Sequence, residues 1–213
     1  MVIKKFPWFI IILVLVACNN EDETIEQQEL REKLIEVNQL GVMGELNKAD
    51  IDVAISEASQ LDLQGVDRKW FILFHLLYTT NGIEADTEKV YEDSQLRILY
   101  EQTWQELALE RYGVQLEEEK LQEILETSLR PLKESVLTSE EEQEDGVHHY
   151  FAEALGYSLD EYFYMYTIHV YERRAISETL YPLLEREYNL ADEHDVSLQY
   201  RMEVIEEIVE TIV

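Results

Sequence analysis

Apolar side chains recur every three or four positions along most of this chain, and that spacing predicts amphipathic helices. The clearest case is residues 86–127, where Asp86 suits the N-cap of a long helix and Gly113 suits the left-handed position that ends it. A run of glutamates at positions 117–119 follows, and the dipole at the start of a helix favours such negative charge. We therefore expect a helix, a glycine stop and a second helix at the centre of the fold.

Further helices are predicted before this central pair. Residues 25–40 have apolar positions at roughly helical spacing, typical of a helix or of an extended tether that packs late. Asn47 suits the N-cap of a helix over Lys48–Gln60, and Asp67 that of a helix over residues 68–80. The helix after Asp67 is apolar nearly all round, so we expect it to be buried or covered on two sides.

After the central pair, proline and glycine mark the predicted boundaries. Pro131 disfavours a helical conformation at Arg130, which predicts a kink or a break there. Gly156 is expected to close a short helix over residues 147–155. Ser158 and Glu161 have the spacing of a capping box that begins the next helix.

The remaining residues predict two more helical segments. The helix that begins after Ser158 is expected to reach Arg173 and Arg174. Pro182 predicts either a kink or the first turn of a new helix. A polar turn at residues 189–195 then leads to a last helix over residues 196–213.

Composition narrows the fold class and the kinds of partner. The chain has 213 residues, of which 46% are hydrophobic, with 7 Gly and 3 Pro, so we expect one all-α domain over residues 25–213. The formal charge of −29, from 17 basic and 46 acidic residues, argues against binding to nucleic acid or to an anionic membrane surface. We predict no nucleic-acid partner.

The first 24 residues predict export and lipid anchoring. Lys4 and Lys5 precede an apolar run over residues 6–16, as in a signal peptide, and residues 15–18 read Leu-Val-Ala-Cys, like a bacterial lipobox. We predict a signal peptide over residues 1–17, cleaved before Cys18, and a tether over residues 18–24. Cys18 would carry acyl chains such as palmitate and hold the protein at the extracytoplasmic face of the bacterial cell membrane. The alternative is an uncleaved membrane anchor, for which the apolar run is short.

Two stretches of the sequence resemble a known family. Residues 106–121 contain Ala108, Tyr112, Gly113, Val114 and Glu118 in a helix, glycine, helix pattern. Residues 154–163 read Ala-Leu-Gly-Tyr-Ser-Leu-Asp-Glu-Tyr-Phe, a small-residue turn followed by a Ser cap, an acidic residue and aromatics. Both stretches resemble the N-terminal chaperone domain of the SurA/PrsA family, a trigger factor/SurA-type peptide-binding domain. The resemblance implies an irregular multi-helix domain with long kinked helices. It also implies that the parvulin isomerase domain is lacking, because only residues 185–195 lie where the family inserts it.

The resemblance implies a membrane-anchored, extracytoplasmic chaperone-like protein that binds unfolded or secreted polypeptides without isomerase activity. Its acidity is expected to favour basic segments of these clients. The alternative is a dedicated protein-interaction lipoprotein that binds one partner in an envelope complex. The candidate client-binding surface is aromatic and consists of Tyr157, Tyr164, Tyr171, Trp70 and Phe74. Tyr164 and Tyr171 are seven residues apart and share one helix face, but either aromatic set is also suited to the core.

Catalytic chemistry is not predicted. His149 and Glu153 lie one helical turn apart, but a zinc site needs three or four ligands. His169 and His194 are distant in sequence and would complete a metal site only through tertiary contact, whereas His75 suits a hydrogen-bonded core position. No phosphate loop or nucleophile motif occurs. We therefore predict no catalytic residues, no metal and no cofactor.

Overall fold

The computed structural model describes residues 24–139 and 146–212. Within those ranges all of the regular secondary structure is helical and there is no strand, which confirms the all-α class. The predicted signal peptide, Cys18 and all of the tether except Thr24 lie outside the described residues. No helix in the described ranges combines the length and the apolar character that crossing a membrane requires.

The first half of the fold contains four helices, whose bounds are α1 Ile25–Gln39, α2 Lys48–Gln60, α3 Gly65–Thr80 and α4 Thr87–Tyr112. Three of them begin at side-chain caps. The Thr24 hydroxyl accepts from the backbone N–H of Gln27, and Asn47 and Asp86 accept in the same way from the N–H groups three residues later. The caps predicted at Asn47 and Asp86 are confirmed, and residues 25–39 form a helix rather than an extended tether.

The second half contains α5 Glu118–Ile124, a π-helical segment Leu125–Leu129, α6 Arg130–Thr138, α7 Val147–Leu155, α8 Leu159–Tyr188 and α9 Glu193–Ile212. Gly113 ends α4 at φ 67° and Gly156 ends α7 at φ 79°, in the left-handed region where a side chain is costly. Ser158 and Glu161 form the predicted capping box at the start of α8. These local predictions are confirmed.

Several predicted boundaries differ from the structure. Helix α3 begins at Gly65, with Gln64 rather than Asp67 as N-cap, and the Asp67 carboxylate accepts a hydrogen bond from Gln95 Nε2 at 3.2 Å. Arg130 keeps a helical conformation before Pro131. The π-helical segment before Pro131 accommodates it instead of a break. In this wider turn the Arg130 N–H bonds to the carbonyl of Leu125, five residues back.

Pro182 does not end or begin a helix, because α8 continues through it as far as Tyr188. Leu180 and Leu184 are fully buried on either side of it, so packing holds the helix where the missing N–H would weaken it. The last helix begins at Glu193, three residues before the predicted start.

The buried side chains form two main clusters. The first, core 1, is built from α2, α3, α7 and the N-terminal parts of α4 and α8, together with Val37 of α1. The second, core 2, is built from α1, α9 and the C-terminal parts of α4 and α8. A smaller third cluster joins α5 and the π-helical segment to Tyr171 and Ala175 of α8. Helices α4 and α8 therefore run through both cores and hold them together.

Candidate functional site

The structure does not bring the five predicted aromatic residues onto one surface. Trp70 and Phe74 are buried in core 1, and Tyr171 is buried against α5 and the π-helical segment. Tyr157 is half-buried, and Tyr164 is 47% exposed. The prediction of an exposed aromatic surface is therefore wrong for Trp70, Phe74 and Tyr171. Tyr171 differs from Tyr164, seven residues away on α8, because the α5 cluster covers that helix at Tyr171.

An open groove lies beside Tyr157, between the start of α3 and α8, with a volume of about 400 Å³. That volume falls in the range of about 300–1,000 Å³ that is usual for ligand sites. We call it the α3–α8 groove. Its lining comes from the first turns of α3, the residue after Gly156 and one face of α8: Gln64, Gly65, Val66, Arg68, Lys69, Tyr157, Met165, Tyr166 and Ile168.

The walls of the groove are largely apolar. Two of its lining residues are apolar and yet exposed to solvent: Val66 on α3, and Met165 on α8, which is 44% exposed. The rings of Tyr157 and Tyr166 meet edge to face, with their centroids 6.4 Å apart. Because methionine is flexible and polarisable, Met165 suits contact with apolar groups of differing shape.

Two cations line the same groove. Within residues 24–139 and 146–212, the side chains of Arg68 and Lys69 make no hydrogen bond and no ion pair. Burial lowers the pKa of Lys69, and the charge of Glu172 opposes that shift without forming an ion pair. Unpaired cations are unexpected in a chain with 46 acidic and 17 basic residues. The local charge of the groove is therefore opposite to that of the protein as a whole.

The start of α3 adds hydrogen-bond donors. Gln64 occupies the N-cap position, but its side chain accepts no bond from the first turn. The first N–H groups of a helix have no partner within the helix, so they and the helix dipole favour an anion here. The groove thus combines apolar walls with two cations and backbone N–H groups on its α3 side, where the Asp67 carboxylate of the same turn is bonded to Gln95.

A polar seam connects the two cores. It consists of Arg97 and Glu101 on α4 and of His169 and Arg173 on α8. One oxygen of Glu101, Oε1, lies 2.5 Å from Arg97 Nη2 and 2.8 Å from Arg173 Nη1. The Arg173 guanidinium also lies over the rings of Trp104, at 4.9 Å, and Tyr100, at 5.5 Å. One carboxylate is therefore the shared counter-ion of two guanidinium groups.

His169 lies on α8 beside this seam, with its ring centroid 4.8 Å from that of Trp70. Burial, followed by the charge of Lys69, lowers the pKa of His169 to about 4, so the ring is neutral near pH 7. In the described part of the chain, His169 Nδ1 and Arg97 Nε are buried nitrogen atoms without a hydrogen-bond partner.

The other histidines do not converge. His75 is buried in α3, with Nε2 3.5 Å from Glu57 Oε2, and burial lowers its pKa against the opposing charge of Glu57. His148 Nδ1 lies 3.3 Å from the Tyr162 hydroxyl. In the ranges that the structure covers, no three His, Cys, Asp or Glu side chains are placed to hold a metal ion.

Another cavity, of about 450 Å³, lies between the C-terminal parts of α8 and α9 and contains mostly glutamates. Several of its polar groups are already paired. Arg111 Nη1 lies 2.5 Å from Glu203 Oε1, and the Tyr112 hydroxyl lies 3.0 Å from Glu203 Oε2. The α3–α8 groove is the better candidate site because its cations are unpaired and its apolar walls are exposed.

Comparison with protein-family models, with curated proteins and with solved structures finds no match to this chain. The resemblance of residues 106–121 and 154–163 to the SurA/PrsA chaperone domain therefore stays a prediction. Sequence reasoning identified Tyr157 but missed the other residues of the groove. The sequence offered no specific signal for them, because consecutive cations such as Arg68 and Lys69 also occur at positions 173–174.

Proposed function

We propose that this protein is a lipid-anchored, extracytoplasmic chaperone-like protein that binds unfolded or secreted polypeptides in the α3–α8 groove, without catalysis. The observation that carries the proposal is the groove itself, in which exposed apolar side chains lie beside two cations that have no ion-pair partner. The resemblance of residues 106–121 and 154–163 to the SurA/PrsA chaperone domain supports the same function.

An extended polypeptide suits this site better than a compact folded partner does. Met165 and Val66 offer apolar contact that tolerates side chains of different shapes, as expected of a binder with many clients. Such binding requires only that aggregation-prone segments be shielded, and no chemical step.

Aggregation of client proteins tests this function. The full chain in detergent is mixed with several unrelated unfolding proteins, and light scattering follows their aggregation. We expect suppression at near-stoichiometric amounts and a weaker effect for Met165→Ser. Leu109→Ser is the matched control, because Leu109 is 50% exposed on α4 and lies outside the groove lining. Tyr164→Ser tests whether the exposed tyrosine of α8 contributes. Suppression that is equal in Met165→Ser and the parent places client binding elsewhere.

One observation favours a second function, that of a dedicated interaction lipoprotein in an envelope complex. The burial of Trp70, Phe74 and Tyr171 leaves a small, defined groove in place of the broad aromatic surface that the sequence predicted. A small, defined groove is sufficient for a protein that binds a single partner. Saturable binding of one envelope protein, together with no suppression of any unrelated client, distinguishes this function from the first.

A further inference from the structure

The two sides of the α3–α8 groove differ in chemistry. At the start of α3, Arg68 and Lys69 carry positive charge without an ion-pair partner among the residues that the structure describes. The α8 side offers Met165, Tyr166 and Ile168, which are apolar or aromatic. A ligand that satisfies both parts has a negative group next to an apolar body.

The charge of the whole protein restricts that ligand further. With a formal charge of −29, the chain repels ligands that carry many negative charges, such as nucleic acids and acidic segments. A single carboxylate next to apolar groups meets the two cations of the groove without adding further repulsion. The cations also disfavour basic segments on this side, although the acidic surface elsewhere attracts them.

The start of α3 is also suited to a carboxylate. Its first N–H groups receive no bond from the Gln64 side chain, and free helix N-termini and backbone N–H groups bind carboxylates in other proteins. The positive charge of Lys69 is held in a partly desolvated site, where burial lowers its pKa, so an arriving carboxylate stabilises it. The Glu172 carboxylate acts on Lys69 only at a distance, so the ammonium group remains available.

We propose that the α3–α8 groove binds the carboxyl-terminal end of its polypeptide ligand. The terminal carboxylate lies at the start of α3 with Arg68 and Lys69, and the last apolar side chains contact Met165 and Val66. This inference rests on the proposed polypeptide-binding function, which it narrows to ligands with a free, apolar carboxyl terminus.

The test compares two forms of one short, uncharged peptide that ends in phenylalanine and carries a fluorescent label at its amino end. One form has a free carboxylate and the other a terminal carboxamide. Binding to the full chain in detergent is followed by fluorescence anisotropy. We expect the free acid to bind about tenfold more tightly or better, because a charge-assisted hydrogen bond is lost in the amide. Added salt is expected to reduce this preference.

Substitutions locate the carboxylate. Arg68→Met and Lys69→Met are each expected to lower the affinity for the acid towards the affinity for the amide measured in the same variant, so that the preference for the acid is lost. Because neither side chain has a partner in the described ranges, both variants are expected to melt like the parent. Arg186→Met is the matched control, since Arg186 is an exposed cation in the last turn of α8, outside the groove lining.

The outcomes separate this inference from the function on which it rests. Equal binding of the acid and the amide overturns the carboxyl-terminal proposal and leaves polypeptide binding in place. A preference for the acid that survives both Arg68→Met and Lys69→Met also overturns it, because the carboxylate then binds elsewhere. Binding of neither form overturns both proposals.

Discussion

Glu101→Gln probes the polar seam between the two cores. Its side chain is 11% exposed, whereas those of Arg97 and Arg173 are 23% and 25% exposed. Replacing the carboxylate with an amide keeps the shape of the side chain but leaves two guanidinium groups close together without a counter-charge. Removing one partner of a fully buried ion pair costs about 3–5 kcal/mol. Since water reaches both arginines in part, we expect a loss of about 2–4 kcal/mol in the free energy of unfolding.

Urea unfolding followed by circular dichroism measures this loss. The matched control is Glu178→Gln, whose carboxylate also has two cationic partners, Arg174 Nε at 3.1 Å and Lys120 Nζ at 3.4 Å, but is 42% exposed. These exposed pairs are together expected to contribute about 1 kcal/mol or less. Adding Arg97→Met to Glu101→Gln removes one of the unpaired charges and is expected to recover part of the lost stability. If Glu101→Gln is no more destabilising than Glu178→Gln, the seam does not depend on its carboxylate.

Three further predictions concern backbone, protonation and anchoring. Gly113→Val is expected to lower the free energy of unfolding by about 1–2 kcal/mol. Gly113 has a φ of +67°, and a Cβ added there meets nothing within 4 Å, so the substitution adds backbone strain and no clash. Gly41→Val, where φ is not positive, serves as its control, and equal urea midpoints of the two variants would refute the helix-stop argument. For His169, a folded pKa of about 4 against 6.5 means that the unfolded chain binds the proton first as the pH falls below 6.5. Stability is therefore lost as the pH falls from 7 to 5, by up to about 2 kcal/mol from this group. Between pH 7 and pH 5, His169→Gln should lose less stability than the parent by this amount, whereas the exposed His194→Gln should lose as much as the parent. Identical pH profiles of stability for the two variants would contradict the argument. Cys18→Ala is expected to release the protein from the membrane fraction, and continued tight association would indicate an uncleaved anchor.

Local chemistry made much of the helical pattern predictable. Asp86 and Ser158 accept hydrogen bonds from N–H groups three residues later, and that interaction depends on only a few neighbouring residues. Gly113 and Gly156 end helices because they adopt positive φ at little cost. Where a boundary depends on such short-range contacts, the sequence alone was enough to place it.

Boundaries and surfaces that depend on tertiary contact were not predictable in the same way. Pro182 resembles a helix break in sequence, but the buried Leu180 and Leu184 hold α8 together around it. Tyr164 and Tyr171 are equivalent by helical spacing, and only the packing of α5 on α8 makes one exposed and the other buried. The groove was missed for the same reason, because α3 and α8 meet there from distant parts of the sequence.

Photo-crosslinking to an unfolded client shows whether the α3–α8 groove binds polypeptides. A photo-reactive residue is placed at Met165 in one variant of the full chain and at Leu109, which is similarly exposed on α4, in another. Both variants are irradiated with an unfolded client, and the covalent adducts are identified by mass spectrometry. We expect client adducts from position 165 and few from position 109. Equal labelling from both positions, or none from position 165, would mean that clients do not bind in the groove.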